Sequence, residues 1–332
     1  MEFLSRLVLD APAAVLSWLG RQGTRAVAAL IVIGIVMPPI GALLKPFVTE
    51  AVFVLLCIAF LRVDAAALRI YLGRPTILLA ATAWTSLVIP TLFGASYLAF
   101  GLKDQSPDLF LALVLQAIAS PLMAAPAFAA LMGLDATLVL CTMVTSTALL
   151  PFTAPLFAYA FIGPALTLSP LALGLKLFAI LAGSALVGVA VIERQKEKIN
   201  GFNILVLFVF IAAIMESVVA RFLATPMITI GLAALAFMVF LAVFCLTTLF
   251  FAPAGRKRAL TLGFMASQRN VGLMLAATGG ALPDLTWLYF AFSYFPIYLS
   301  PLLLQPLARR IIGPSADYSH TATRANNMTS QT

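Results

Sequence analysis

Charged residues are scarce in this sequence. They make up only 10% of its 332 residues, whereas 63% are hydrophobic; a soluble domain carries about 25% charged residues. A soluble globule of this length could not cover so much apolar surface, because even large domains expose a wide surface to water. The mean hydropathy of +1.08 points the same way. The composition therefore predicts that lipid surrounds most of the chain.

Histidine and cysteine are scarce too, and each shortage excludes a kind of chemistry. The one histidine, His320, lies in a polar tail, which excludes a histidine-based metal site and a Ser–His–Asp triad. Cys57, Cys141 and Cys245 lie far apart in apolar runs, where cysteines behave as small hydrophobes. No Walker-type phosphate loop is present. We therefore expect no enzyme activity, no metal site and no cofactor.

Ten apolar stretches are long enough to span a bilayer, which takes about 20 residues. They cover 25–44, 46–66, 76–98, 107–133, 136–161, 170–192, 200–221, 227–251, 259–280 and 285–311. Residues 1–24 mix charges with Leu and Trp, which is typical of an interfacial amphipathic segment. The polar residues 313–332 are predicted to be a disordered cytoplasmic tail. The sequence thus predicts an all-α membrane protein with the bilayer as its partner.

Basic residues are concentrated on one predicted side of the membrane. Fifteen fall on the side of the N-terminus and three, Lys45, Lys103 and Arg221, on the other; Lys176 and Arg269 lie within spans. The positive-inside rule then predicts a cell (inner) membrane protein with both termini in the cytoplasm. Since these residues are scattered among apolar spans, the net charge of +8 does not indicate a nucleic-acid partner.

The chain divides into two halves of similar length. Residues 25–161 and 170–311 comprise 137 and 142 residues, with five predicted spans each. An odd number of spans gives the two halves opposite orientations, which is the inverted-repeat plan of secondary transporters. We predict two five-helix inverted repeats.

The fourth span of each half is interrupted, by Ser120-Pro121 followed by Pro126 in the first half and by the polar run 267–270 in the second. The two interruptions begin 95 and 97 residues from the start of their halves. Proline removes a backbone donor, and a polar run in mid-membrane is costly unless it lines a cavity. Because paired interruptions mark transport sites, we expect broken helices 4 and 9 to cross there. The predicted helix-break prolines are Pro121 and Pro126, and the predicted substrate-binding residues are Ser120, Ser146, Thr147, Ser267, Gln268, Arg269 and Asn270.

Two further charges are predicted to lie at similar depth. Lys176 and Glu216 are each 20 residues from Lys196 in the turn between spans six and seven. In antiparallel helices that rise 1.5 Å per residue, this spacing brings them together. One interpretation is an ion pair between the two helices, and the other is proton coupling through Glu216.

Three stretches of the chain resemble the bile acid:sodium symporter family, of the bile acid/arsenite/riboflavin transporter-like superfamily. They are IAFLRVDAAALRIYLGRPTILL (58–79), SPLMAAPAFAALMGLDATLVLCTMVTSTALLPFTAP (120–155) and RALTLGFMASQRNVGLMLAATGG (258–280). The resemblance covers residues 25–311. It implies ten helices in a panel domain and a core domain, crossing fourth and ninth helices, and an organic-anion substrate. Asn270, Gly272 and Leu273 match the family's ninth-span pattern, which places Gly272 at the second helix break.

The positions that match the family's sodium ligands carry other residues. Met265 and Arg269 stand where the ninth-span pattern has glutamate and glutamine. Pro126 and Ala127 stand in place of the Ser-Asn pair of the fourth span, and Val139 and Met143 in place of the polar ligands of the fifth. Apolar side chains offer no oxygen ligand, and an arginine repels a cation at low dielectric. Sodium coupling is therefore doubtful.

These observations predict a secondary transporter that carries a small organic anion by alternating access. Arg269 is expected to supply the fixed positive charge of the site, in place of a bound cation; alternatively, it bonds carbonyls of the broken fourth helix and locks the crossing. An auxin-efflux-type permease and a membrane ligand sensor that does not transport remain alternatives.

Overall fold

A computed structural model describes residues 37–61, 75–163, 169–191, 196–278 and 282–312, and within these ranges the regular structure is helical. The helical segments of seven or more residues are α1 (Pro38–Leu61), α2 (Pro75–Ala99), α3 (Pro107–Ile118), α4 (Ala125–Leu131), α5 (Ala136–Ile162), α6 (Pro170–Val191), α7 (Lys196–Met215), α8 (Val218–Ala224), α9 (Pro226–Phe250), α10 (Arg256–Ser267), α11 (Val271–Thr278) and α12 (Asp284–Ile312).

Local sequence signals set several of the helix starts. Pro38, Pro75, Pro107, Pro170 and Pro226 are the first residues of α1, α2, α3, α6 and α9. Proline suits this position because its φ is already helical and the missing N–H would have no partner inside the helix. At four of these five starts, the helix begins within one residue of a predicted span.

Seven helical segments of the described chain are long and apolar enough to span a membrane: α1, α2, α5, α6, α7 with α8, α9 and α12. The chain is therefore a multi-pass, all-α membrane protein, as predicted. None of the three cysteines, which all lie in described ranges, forms a disulfide.

The prediction that one span ends and another begins at Lys45 is wrong. Pro38–Leu61 is a single helical segment of 24 residues, with one tight 3₁₀ turn at Lys45–Phe47. Pro46 lacks the N–H that a regular α-turn would use, so the helix tightens locally and continues. The interfacial segment 1–24, the first part of the predicted span 25–44, and the tail 313–332 lie outside the described residues.

Both predicted interruptions are confirmed. α3 ends at Ile118 and α4 begins at Ala125; α10 ends at Ser267 and α11 begins at Val271. Residues 119–124 and 268–270 between them are unwound, and together they are called the crossing below. Pro121 lies within it, whereas Pro126 and Gly272 are the second residues of the helices that follow.

The crossing lies where two apolar clusters meet. The first cluster contains buried residues of α3, Ala119 and α11, together with residues of α1, α6, α7 and α12. The second contains Leu122 and buried residues of α4 and α10, together with residues of α2, α5 and α9. The chain therefore passes from the first cluster to the second between α3 and α4, and from the second to the first between α10 and α11.

Candidate functional site

The two unwound segments of the crossing pair with each other through their backbones. The Leu122 N–H donates to the Gln268 carbonyl at 2.7 Å, and the Asn270 N–H donates to the Ser120 carbonyl at 2.8 Å. These bonds flank an antiparallel bridge between Pro121 and Arg269. Since residues directly opposite each other there exchange no hydrogen bond, the N–H that Pro121 lacks is not needed. The paired segments satisfy backbone groups that would otherwise be costly at membrane depth.

Several predicted site residues support the crossing itself. The Asn270 side chain accepts from the Leu273 N–H at 3.2 Å and so caps α11. The Gln268 amide donates to the Ser300 hydroxyl on α12 at 2.8 Å. The Ser267 hydroxyl donates to the carbonyl of Phe264, one turn earlier in α10. These three side chains therefore hold the second break in place.

Arg269 is the only charged side chain among the buried residues of the described chain, with 2% of its surface exposed. Its Nη1 donates to the carbonyl of Ala119 at 2.8 Å and to that of Thr85 at 3.3 Å. Ala119 directly follows the end of α3, where carbonyls have no partner inside the helix. The bond to Ala119 matches the locking role that the sequence left open.

The Thr85 carbonyl is available to Arg269 because of a local irregularity in α2. Residues 84–88 form a π-helical turn, in which the Ile89 N–H donates to the Trp84 carbonyl five residues earlier. The corresponding donor for the Thr85 carbonyl would be residue 90, which is a proline without an N–H. The carbonyl therefore stays open toward Arg269.

One edge of the guanidinium remains unused. Nε and Nη2 of Arg269 are buried and have no hydrogen-bond partner among the described residues. Nη1 carries the bonds to the two carbonyls, so the locking contacts leave the opposite edge free. The planar fork of arginine matches carboxylate and related anions with two parallel N–H donors. A buried charge with free donors is costly unless something pairs with it.

Arg269 lines a small cavity. Aliphatic and aromatic side chains of α2 and α9, among them Phe93 and Phe240, form much of the wall, and Tyr97 and Gln116 add polar groups. The Tyr97 hydroxyl has no partner in the described chain, whereas Gln116 accepts a hydrogen bond from Tyr289. The cavity has room for only about one water molecule, far less than the small-molecule sites that measure roughly 300–1,000 Å³.

The structure brings only part of the predicted site to this cavity. Arg269 and Ser267 line it, whereas Ser120, Ser146 and Thr147 do not. The hydroxyls of these last three are buried and lack partners among the described residues. Tyr97 is a wall residue that sequence analysis missed; the only signal for it was a phenol inside an apolar span.

The predicted pairing of Glu216 with Lys176 is wrong. Glu216 forms an ion pair with Lys45 of α1 at 3.1 Å, and Lys176 is exposed on α6. The prediction assumed a straight antiparallel pair of helices, but α7 ends at Met215, and Glu216 lies in the turn before α8. Gly41 also lets α1 approach closely, since a Cβ there would come within 2.8 Å of the Glu216 Cβ.

A second ion pair and an aromatic contact accompany this one. The Lys45 ammonium lies 5.4 Å from the centre of the Trp287 ring at the start of α12. Arg221 of α8 pairs with Asp284 of α12 at 2.7 Å. The Lys45–Glu216 and Arg221–Asp284 pairs, called the peripheral ion pairs below, consist of partly or largely exposed side chains.

Three of the positions that the resemblance would assign to sodium ligands carry buried, apolar side chains. Val139 and Met265 are fully buried in the second apolar cluster, and Met143 is buried on α5. The described residues contain no group of three His, Cys, Asp or Glu side chains that could hold a metal ion.

Comparison with known proteins leaves the family open, because no family model and no curated protein matches the chain.

Proposed function

We propose that this chain is a secondary transporter that moves a small organic anion by alternating access, without sodium coupling. The observation that carries the proposal is Arg269, whose buried guanidinium lies in the crossing, lines a small cavity and leaves Nε and Nη2 without partners among the described residues. An anion with two acceptor oxygens would satisfy these donors and neutralise the charge. Because the cavity has room for only about one water molecule, such an anion would enter in an open state of the transport cycle.

The spacing of the helices supports a ten-span, inverted-repeat plan. α2 and α9 begin 151 residues apart (75 and 226), α3 and α10 149 apart (107 and 256), and α5 and α12 148 apart (136 and 284). α3 and α10 also have the same length, 12 residues.

The arrangement of the interrupted helices supports the inverted orientation. Their opposite passage between the two apolar clusters is what a pseudo-two-fold axis in the membrane plane would produce. The excess of basic residues near the predicted N-terminal side supports cytoplasmic termini in a cell (inner) membrane.

Sodium independence is proposed from the residues around the crossing. Val139, Met143 and Met265 present hydrocarbon and thioether groups where a sodium ion would need oxygen ligands. The positive charge of Arg269 would repel a cation bound nearby.

Flux measurements in reconstituted vesicles test this function. We expect purified protein to carry small organic sulfonates or carboxylates equally well in sodium-containing and sodium-free buffer. Strict dependence on a sodium gradient would contradict our interpretation of Met265 and Pro126. Binding of these anions without flux would instead favour the ligand sensor, and protein-free vesicles are the control for leakage.

A further inference from the structure

In the part of the chain that the structure describes, the charge at the crossing has no acidic ion-pair partner. Arg269 takes part in neither of the ion pairs in the described chain. None of the acidic side chains whose burial is described is buried; they are Glu50, Asp104, Asp108, Asp135, Glu216 and Asp284. Among the described residues, the buried guanidinium has only the carbonyls of Ala119 and Thr85 as hydrogen-bond partners.

This imbalance makes the empty and the loaded site electrically different. The empty site carries one unneutralised positive charge between two apolar clusters. When a monoanion occupies the free edge of Arg269, the site becomes neutral and its donors are satisfied. A buried charge without a partner is expensive in an apolar surrounding, and a paired, hydrogen-bonded charge is much less so. Switching between the two sides of the membrane is therefore easier for the loaded site.

We propose that the protein is an obligate anion exchanger, in which the site changes sides only while an anion neutralises Arg269. An anion released on one side must then be replaced by another before the site can return. This inference rests on the transport function proposed above and adds its mode. It differs from ion-driven symport, where a co-transported cation accompanies the substrate.

Two consequences distinguish exchange from net transport. Uptake of labelled anion requires unlabelled anion inside the vesicle. A one-for-one exchange of monoanions also moves no net charge, so a membrane potential, which acts on each charge that crosses, should leave the exchange rate unchanged.

The experiment uses permanently charged sulfonates, from methanesulfonate to benzenesulfonate, because weak carboxylic acids leak through lipid in their neutral form. Vesicles that contain the protein are loaded with the unlabelled sulfonate or with buffer alone, and potassium with valinomycin sets the membrane potential. We expect uptake of the labelled sulfonate to be roughly tenfold or more faster into loaded vesicles. We also expect it to be insensitive to potential.

Each result has a distinct meaning. Equal uptake into loaded and unloaded vesicles at zero potential would overturn exchange while leaving the transport function intact. No uptake of any sulfonate in either case would overturn the transport function and exchange with it.

Variants of Arg269 test the cause. Arg269→Lys keeps the charge and should keep the requirement for internal anion, whereas Arg269→Gln should bring the ratio of the two rates near one or abolish flux. A ratio that persists in Arg269→Gln would overturn the role of this charge. Arg258→Gln, which changes an exposed arginine of the same helix α10, is the matched control and should exchange like the parent.

Discussion

The positive charge in the crossing and those in the peripheral ion pairs differ in burial and in their partners. Lys45 and Arg221, both largely exposed, have carboxylate partners at 3.1 and 2.7 Å. Arg269 is buried and bonds only to backbone carbonyls, with Nε and Nη2 unpaired in the described chain. Exposed ion pairs contribute little to stability, whereas an incompletely paired buried charge opposes it. The difference supports the proposal that the charge in the crossing serves a ligand.

The largest expected effect comes from removing that charge. Arg269→Gln keeps a polar side chain but loses the charged two-donor edge, so the affinity for benzenesulfonate should fall about 100-fold. That factor corresponds to two charge-assisted hydrogen bonds of about 1.5 kcal/mol each. Titration calorimetry on the purified protein measures it.

Arg221→Gln provides the matched comparison, since it breaks a peripheral ion pair and leaves the cavity untouched. Its affinity for the sulfonate should equal that of the parent. If folded Arg269→Gln binds as tightly as the parent, the charge hypothesis fails and only the locking role of Arg269 remains.

The next effect is on packing beside the crossing. In Gly272→Ala, the new Cβ would lie 2.8 Å from the Tyr294 hydroxyl and 2.9 Å from the Phe210 ring. Overpacking of this kind costs about 1–3 kcal/mol, which thermal unfolding in detergent would report as a lower Tm. Gly231 of α9 is the control, because a Cβ there meets no atom within 4 Å. Gly231→Ala should raise the Tm slightly, since alanine favours the helix; equal Tm changes in both variants would contradict the packing argument.

Local signals account for what the sequence could predict. Pro121 and the polar run at 267–270 interrupt helices through their own chemistry, so both breaks could be located without knowing the fold. The wrong span boundary at Lys45 has the same cause: a charge usually ends a span, but here Glu216, in the turn between α7 and α8, pairs with it and the helix continues. The partner lies 171 residues away, and no local pattern contains it.

Local sequence patterns also could not predict all the partners of Arg269. The sequence offered a bond to carbonyls of the broken fourth helix as the alternative role of Arg269, because that helix was expected at the crossing. The Thr85 carbonyl, 184 residues away, could not be predicted, since it depends on a π-helical turn before Pro90 and on how α2 packs against the crossing.

A smaller effect is expected from restoring the missing donor in α2. Pro90→Ala supplies an N–H that can bond the Thr85 carbonyl in the five-residue pattern of the turn, and so competes with Arg269 Nη1. Losing one of its two anchors should make the guanidinium less fixed and weaken sulfonate binding a few-fold, or by about 0.5–1 kcal/mol. Pro306→Ala, at an exposed proline inside α12, should leave affinity unchanged. Unchanged affinity in Pro90→Ala as well would show that the Thr85 contact does not orient Arg269.

The smallest effect is expected at the peripheral ion pairs. A double-mutant cycle of Lys45→Met and Glu216→Gln should give a coupling energy of no more than about 1 kcal/mol, because both side chains are partly exposed. The same cycle with Lys176→Met in place of Lys45→Met should be additive, since Lys176 does not contact Glu216. Glu216→Gln should lower stability slightly without changing anion selectivity. If Glu216→Gln instead abolished the pH dependence of flux while the Tm stayed unchanged, Glu216 would be a proton-coupling group. The peripheral ion pairs would then take part in transport, and their contrast with the crossing would no longer hold.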